Sequence, residues 1–319
     1  MVWKKNLAVY PIIRNNESLY ELAYAEREDK ESYNYNIVIY NILSNKKTNK
    51  IYHAHSDGIN NIKHYYSSSS KKHFLLSSSS NEIKLWNITY KTFTKEVDFN
   101  INKNDEYYIR CSCLLFKNDD YFILTGGGNS SGYKTKILNK SGNEKSIYNC
   151  GLDKINYIEA TYINNIPYVL LSGKYHAESY NYDNEKVIKY LSKENENEKE
   201  KQCCNIINLF NKNNKLYLIS GYSKGLISIF DFKSAVEIAS IKIGNSDING
   251  LCSFNEKYFL FGDNKEITVI NFDDRNKITS FKGLNDNYIY GIEKIKIYDK
   301  GEYIISYSQK QMILWKLSN

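Results

Sequence analysis

The stretch "FLLSSSSNEIKLWN", Phe74 to Asn87, decides the fold. An apolar run leads into four serines, and an alternating Ile-Lys-Leu-Trp leads out of them. This pattern is typical of two short antiparallel strands joined by a turn. The serines could instead form a polar linker. A hairpin that belongs to a repeating fold predicts that similar text returns along the chain.

The apolar run does return, at intervals of 41 to 48 residues. That spacing is the period expected of solenoids and propellers. The recurrences are "FILTG" ending at Thr125, "VLLSG" at Ser172, "YLISG" at Ser220, "FLFG" at Phe261 and "YIIS" at Ser306.

Further strands keep a constant phase against these runs. An inner strand precedes each apolar run. A strand with a bulky residue near its end follows several of the runs, and a more polar strand then follows several of these. The bulky positions are Tyr40, Trp86, one near Leu138, one near Tyr180, Phe230, Ile270 and Trp315. Because almost no segment has a helical apolar stripe, the pattern predicts an all-β domain over residues 1–319, built from seven four-stranded units.

Composition narrows the class of protein. The net charge of +7 comes almost wholly from Lys, with Arg only at positions 14, 27, 110 and 275. Bidentate recognition of phosphate or guanine favours Arg, so the sequence does not indicate a dedicated nucleic-acid surface. An AT-rich genome would also produce this bias. No apolar run is long enough to span a membrane and no signal peptide is recognisable, so we expect no membrane association.

The six cysteines form no CxxC pair, and most lie in apolar, strand-like text. Free cysteines of this kind behave as small buried hydrophobes and persist in reducing compartments. The sequence therefore predicts an intracellular protein, in the cytoplasm or alternatively in the nucleus.

The repeats resemble the WD-repeat family of β-propellers, most closely in Ile292–Leu317 and His55–Asn87. No unit keeps the family's Trp-Asp pair, to which Phe230-Asp231 and Trp86-Asn87 are the nearest. The resemblance implies a seven-bladed β-propeller of four-stranded antiparallel blades, with ring closure between the two termini. We expect Val2–Lys5 to complete the last blade.

The resemblance also implies a buried hydrogen-bonded chain. The family's His, Ser or Thr, Asp and Trp correspond to His55, Ser77, Asn81 and Trp86. Asn81 departs from the family's Asp, which predicts a neutral chain. In the fifth unit Lys224 stands where the acid would be, so the network should be lost there.

Three other motifs admit a functional and a structural interpretation. "HAH", His53–His55, has metal-like spacing, but the resemblance already uses His55 structurally. "GGGNSSG", Gly126–Gly132, lacks the Lys and the following helix of a phosphate loop and reads as a turn. The charge run Ser192–Lys201 reads as a solvated loop.

The sequence therefore predicts a scaffold that presents a propeller surface to other proteins or peptides and is monomeric by itself. It predicts no catalytic residue, cofactor or metal. The expected contact residues are Tyr107, Tyr108, Arg110, Tyr288 and Tyr290. An RNA-binding propeller with a Lys/Tyr face is the alternative, and an enzyme with its site in the central channel is a weaker one.

Overall fold

A computed structural model gives the structure of most of the chain. It describes residues 7–14, 17–27, 33–100, 107–117, 120–129, 132–148, 154–192, 202–263, 266–282, 289–297, 301–308 and 312–316. Two compact units, Met1–Pro167 and Tyr168–Asn319, divide the chain at the start of one strand. The organisation of 1–319 as a single domain stays a prediction.

The first three sheets lie in the first unit and are numbered as blades one to three. Blade one contains β1 (Leu7–Arg14), β2 (Glu17–Arg27), β3 (Tyr35–Asn41) and β4 (Lys46–His55). Blade two contains β5 (Asn61–Ser67), β6 (Lys72–Ser78), β7 (Glu82–Asn87) and β8 (Thr94–Asn100). Blade three contains β9 (Tyr108–Lys117), β10 (Asp120–Asn129), β11 (Gly132–Leu138) and β12 (Glu144–Tyr148).

The remaining strands form blades four to seven. Blade four contains β13 (Ile155–Ile163), β14 (Ile166–Gly173), β15 (Ala177–Asn181) and β16 (Val187–Tyr190). Blade five contains β17 (Cys204–Lys212), β18 (Lys215–Tyr222), β19 (Leu226–Asp231) and β20 (Glu237–Lys242), with a 3₁₀ turn at Ser223–Gly225. Blade six contains β21 (Gly250–Ser253), β22 (Tyr258–Gly262), β23 (Glu266–Asn271) and β24 (Lys277–Lys282). Blade seven contains β25 (Gly291–Ile297), β26 (Gly301–Tyr307) and β27 (Met312–Lys316).

Every sheet is an antiparallel meander whose strands lie in chain order. Seven such blades confirm the predicted all-β, seven-bladed propeller fold. Six blades have four strands, and the seventh has three among the described residues. The predicted closing segment, Val2–Lys5, lies outside the described residues. Among the described residues no helix is long and apolar enough to cross a bilayer.

The core lies between the faces of consecutive sheets. One cluster joins blades one and two through side chains such as Tyr10, Ile39 and Leu75. A second joins blades two and three through Leu76, Leu85 and others. Strands that bury both faces read as continuous apolar runs rather than alternating ones. The packing therefore explains why "LISIF" in β19 is buried at every position.

Asparagine pairs make two of the inner hairpin turns. Asn164 and Asn165 follow β13, and Asn213 and Asn214 follow β17, all with φ between 50° and 63°. A two-residue turn with both central residues at positive φ is the type that matches the twist of antiparallel strands, and Asn tolerates it better than most residues.

Two buried tyrosines of the second unit differ in the partners of their hydroxyl groups. The Tyr190 hydroxyl donates to the Phe232 carbonyl at 2.7 Å and lies 3.0 Å from the Ser179 hydroxyl. The Tyr307 hydroxyl has no hydrogen-bond partner in the described structure. We expect Tyr190→Phe to lower the unfolding free energy by about 1–2 kcal/mol and Tyr307→Phe to be neutral or stabilising. Urea denaturation of both variants measures this, and equal costs would contradict it.

Candidate functional site

The hydroxyl of Ser77 is the centre of a buried hydrogen-bonded chain in blade two. The Trp86 indole N–H donates to Ser77 Oγ at 2.9 Å. On the other side, Ser77 Oγ lies 2.8 Å from His55 Nε2. The structure thus brings together three of the four residues expected for this chain. Strand register explains the contact, because Trp86 pairs with Leu75, two residues before Ser77.

Glu82, not Asn81, supplies the acidic end of the chain. Its Oε2 lies 3.0 Å from His55 Nδ1, and its Oε1 accepts a bond from the Ser56 hydroxyl at 2.7 Å. Asn81 instead lies in the turn, where its backbone N–H donates to the Ser79 hydroxyl at 3.4 Å. The expected neutral chain is therefore replaced by one that ends in a carboxylate.

The direction of every bond in the chain follows from the charges. The hydrogen bond from His55 keeps the pKa of Glu82 well below its usual range, so its carboxylate can only accept. Burial lowers the pKa of His55, so the ring is neutral and carries its proton on Nδ1, facing Glu82. Its bare Nε2 then accepts from Ser77, whose oxygen accepts from Trp86. Aligned donors of this kind reinforce one another.

The order Ser77–His55–Glu82 matches the nucleophile, base and acid of a hydrolytic triad. Two observations oppose such chemistry. Ser77 has no exposed surface, and His55 is only 1% exposed. The Trp86 N–H also occupies the serine oxygen that would attack a substrate. The arrangement therefore holds the end of β4 and the loop that follows it against the strands of blade two.

Other blades keep only parts of this chain. In blade seven the Trp315 indole donates to Ser306 Oγ at 2.8 Å. In blade five Phe230, which cannot donate a hydrogen bond, lies in β19 at the position of the indole, and Lys224 lies in the 3₁₀ turn. In blade four, His176 lies 3.0 Å from the buried Glu178.

A second histidine site lies between blades one and two. His64 Nε2 and His73 Nδ1 are 3.0 Å apart, so one proton is shared between two ring nitrogens. Tyr10 stacks on His64 with ring centroids 4.4 Å apart, and its hydroxyl donates to Glu21 at 3.2 Å. The Tyr66 ring is tilted against His73, with ring centroids 4.7 Å apart. A second proton on the pair would set two N–H groups against each other.

This pair predicts a loss of stability in mild acid. Burial, and then the facing His73, lowers the pKa of His64 from 6.5 to about 3. His64 therefore stays neutral in the folded chain while it is protonated in the unfolded one. Its contribution is complete above pH 6.5 and is lost as the pH falls towards 3, by about 1 kcal/mol near pH 5.5.

The measurement is the unfolding free energy of wild type and His64→Phe between neutral and mildly acidic pH. Phenylalanine keeps a ring against Tyr10 but removes the titrating nitrogen, so the pH dependence should become smaller. The pKa of His55 is also lowered by burial, so this group contributes to the slope that remains in the variant. An unchanged slope in the variant would contradict the prediction.

The expected contact residues of blade three divide into two environments. Tyr107 is 2% exposed, and its hydroxyl donates to the Lys134 carbonyl at 3.0 Å, so its ring is not a free contact surface. Tyr108 is 57% exposed, and Arg110 is also exposed. In the second unit, Tyr290 is half-buried, with its backbone N–H bonded to the Tyr307 carbonyl. Tyr288 lies outside the described residues.

A β-bulge determines the orientation of Arg110. Cys111 pairs with Gly126 and Ile109 pairs with Gly127, so Arg110 is the extra residue on β9. Its guanidinium carbon lies 5.5 Å from the centre of the Tyr133 ring, which is a cation–π contact. We call Tyr108, Arg110 and Tyr133 the blade-three patch.

The glycines of "GGGNSSG" allow this packing. Gly126 to Gly128 lie in β10 rather than in a turn. A Cβ on Gly127 would lie 2.1 Å from the Tyr108 carbonyl oxygen, and one on Gly128 would lie 2.6 Å from the Tyr133 ring. The glycines therefore serve the close approach of aromatic side chains and backbone to the strand.

The other sequence motifs have structural positions. His53 adopts φ 48°, and its backbone N–H donates to Asn36 at 2.9 Å. No cluster of three His, Cys, Asp or Glu side chains suited to a metal is found among the described residues. Cys111, Cys113, Cys204 and Cys252 are buried and form no disulfide. Of the charge run, residues 193–201 lie outside the described part.

Sequence reasoning missed Glu82 and Tyr133. Glu82 had a usable signal, because it directly follows the position that the family resemblance assigns to the acid. Tyr133 had none, since its stack with Arg110 depends on the bulge in β9.

No known protein family matches the sequence. No curated protein matches it either. Among solved structures 1262 chains are similar. One is the crystal structure of Raptor from Chaetomium thermophilum, with a TM-score of 0.69 at 12% sequence identity. The likeness covers 99% of this chain and 29% of the Raptor chain, so this chain spans less than a third of that neighbour.

Likeness at this level of identity shows the fold alone. It agrees with the seven-bladed propeller, whereas membership of the WD-repeat family stays a prediction. Because so many solved chains share the fold, it selects no single function.

Proposed function

We propose that this chain is a scaffold that binds other proteins or peptides through anchor residues on its blades. The observation that supports this most is Arg110, an exposed residue of β9 whose guanidinium makes a cation–π contact with Tyr133. In the described structure it has no ion pair within the chain. Arginine and tyrosine on a rigid support are the residues that most often dominate protein interfaces.

The neighbouring chemistry fits a binding role better than a catalytic one. The Ser77–His55–Glu82 arrangement, which has the order of a catalytic triad, is buried beneath Trp86. The cysteines in the described part of the chain form no disulfide, which supports a reducing compartment, so we propose the cytoplasm, or alternatively the nucleus, as the location.

The experiment is purification of the tagged full chain from its native cell at moderate salt, with and without nuclease, beside the tag alone. The proposal predicts a reproducible set of proteins that survives nuclease treatment. Loss of that set after nuclease would instead support the RNA-binding alternative, and an unaccompanied chain would contradict the scaffold.

A further inference from the structure

We infer that the blade-three patch binds an acidic peptide segment, with a peptide carboxylate paired to the Arg110 guanidinium. This inference rests on the proposed function and names the chemistry of the partner.

The bulge gives Arg110 an orientation that a regular strand would not. β-Bulges re-aim a side chain at the rim of a sheet and are frequent beside binding sites. Blade five has an inner-strand bulge between Cys204 and Ile206, where the extra residue is Asn205. Asn205 is buried, whereas Arg110 is exposed. The bulge in blade three therefore carries a charged side chain outward, beyond what packing of the strand requires.

The guanidinium is pre-organised for a carboxylate. Its guanidinium carbon lies 5.5 Å from the centre of the Tyr133 ring, and the missing side chain of Gly128 lets that ring lie against β10. A cation–π contact of this kind occupies none of the N–H donors of the guanidinium. In the described part of the chain Arg110 has neither an ion pair nor a side-chain hydrogen bond. A planar fork held in this way matches the two oxygens of a carboxylate and loses little rotamer freedom on binding.

The use of arginine at this position is selective. The chain has 43 Lys and Arg residues, of which four are arginine. Lysine supplies a point charge, but only arginine combines stacking on Tyr133 with a bidentate fork. Tyr108, two residues before it on the same strand, adds an exposed aromatic surface that a peptide side chain can contact.

The charges around the patch favour a peptide over nucleic acid. Binding of a nucleic-acid backbone needs several cations that can each neutralise a phosphate. In blade three Lys136 pairs with Glu144 at 3.3 Å, and Lys140 lies 3.7 Å from Asp120. Lys136 is thus paired within the sheet, whereas the contact of Lys140 is exposed. Lys134, in the same strand as Tyr133, has its ammonium 6.0 Å from the centre of the Tyr107 ring. The patch presents one oriented guanidinium beside aromatic rings rather than a row of cations, which suits a single carboxylate.

The test is fluorescence anisotropy with three labelled probes added to the full chain. They are a short alternating Glu-Ala peptide, the matching Gln-Ala peptide and a single-stranded oligouridylate of similar length. We expect the Glu-Ala peptide to bind about tenfold more tightly than the Gln-Ala peptide. Arg110→Ala should weaken binding of the Glu-Ala peptide at least about tenfold, and Arg110→Lys should weaken it less.

Arg275→Ala is the matched control. Arg275 is an exposed arginine in the turn between β23 and β24, so its removal changes the net charge equally. It should leave binding of the Glu-Ala peptide within about twofold. Because Arg110 is exposed, both variants should unfold at the wild-type temperature, which separates lost binding from lost folding.

Equal effects of Arg110→Ala and Arg275→Ala would overturn the inference, because binding would then follow net charge. Equal affinity for the two peptides, or tighter binding of oligouridylate, would overturn it as well. A nuclease-resistant protein set without binding of the Glu-Ala peptide would leave the scaffold standing and remove the inference. Binding of that peptide without any such set would support the patch and count against the scaffold.

Discussion

Replacement of Ser77 by alanine is expected to lower the unfolding free energy by about 2–4 kcal/mol. The substitution removes the acceptor of the Trp86 indole N–H and the donor to His55 Nε2. Both groups are deeply buried, and each buried polar group left without a partner costs about 1–3 kcal/mol. Urea denaturation followed by tryptophan fluorescence measures the change.

Ser172→Ala is the control for this prediction. Ser172 ends the equivalent "VLLS" strand and is also fully buried, but its hydroxyl has no hydrogen-bond partner in the described structure. Its replacement should cost less than about 1 kcal/mol, because no bond is broken and no partner is left unsatisfied. A similar cost at both positions would show that burial, and not the hydrogen-bonded chain, determines the effect at Ser77.

Gly127→Ala is expected to lower the unfolding free energy by about 3 kcal/mol or more. The new Cβ would lie 2.1 Å from the Tyr108 carbonyl oxygen and 3.0 Å from the Tyr107 ring. A contact with backbone cannot be relieved by a change of rotamer, so β9 would have to move away from β10. The same movement should weaken binding at the blade-three patch.

Gly132→Ala in the same hairpin separates this clash from the general cost of replacing glycine. Gly132 has φ 139° and open space where a Cβ would stand. Alanine there should cost roughly 1–2 kcal/mol through backbone strain alone. Thermal unfolding compares the two variants, and a larger loss for Gly132→Ala would contradict the proposed contact.

The blade pattern could be predicted from the sequence because each hairpin is local. The text from Phe74 to Asn87 forms β6 and β7, with Ser77 in the strand and Ser79 accepting backbone bonds in the turn. The family resemblance implied that Ser77 lies beside Trp86, and this contact is local as well, because strand alternation determines which side chains share a face.

The acidic residue and the contact surface depend on finer geometry. Glu82 reaches His55 from one residue later than expected, with a side chain one methylene longer than that of the family's Asp. The sequence pattern places Tyr107 at the start of an inner strand, where we expected a contact residue. Because Gly127 has no side chain, the Tyr107 ring can pack against β10 and is buried. Arg110 faces outward because of a bulge, and no periodicity in the sequence marks a bulge.

The most direct test of the scaffold is a parallel purification of tagged wild type, Arg110→Ala and Arg275→Ala after nuclease treatment. Our account predicts one set of partner proteins with wild type and with Arg275→Ala, and about tenfold less of it with Arg110→Ala. Equal recovery with all three chains would contradict the role of blade three. The absence of any nuclease-resistant partner from all three would contradict the scaffold itself.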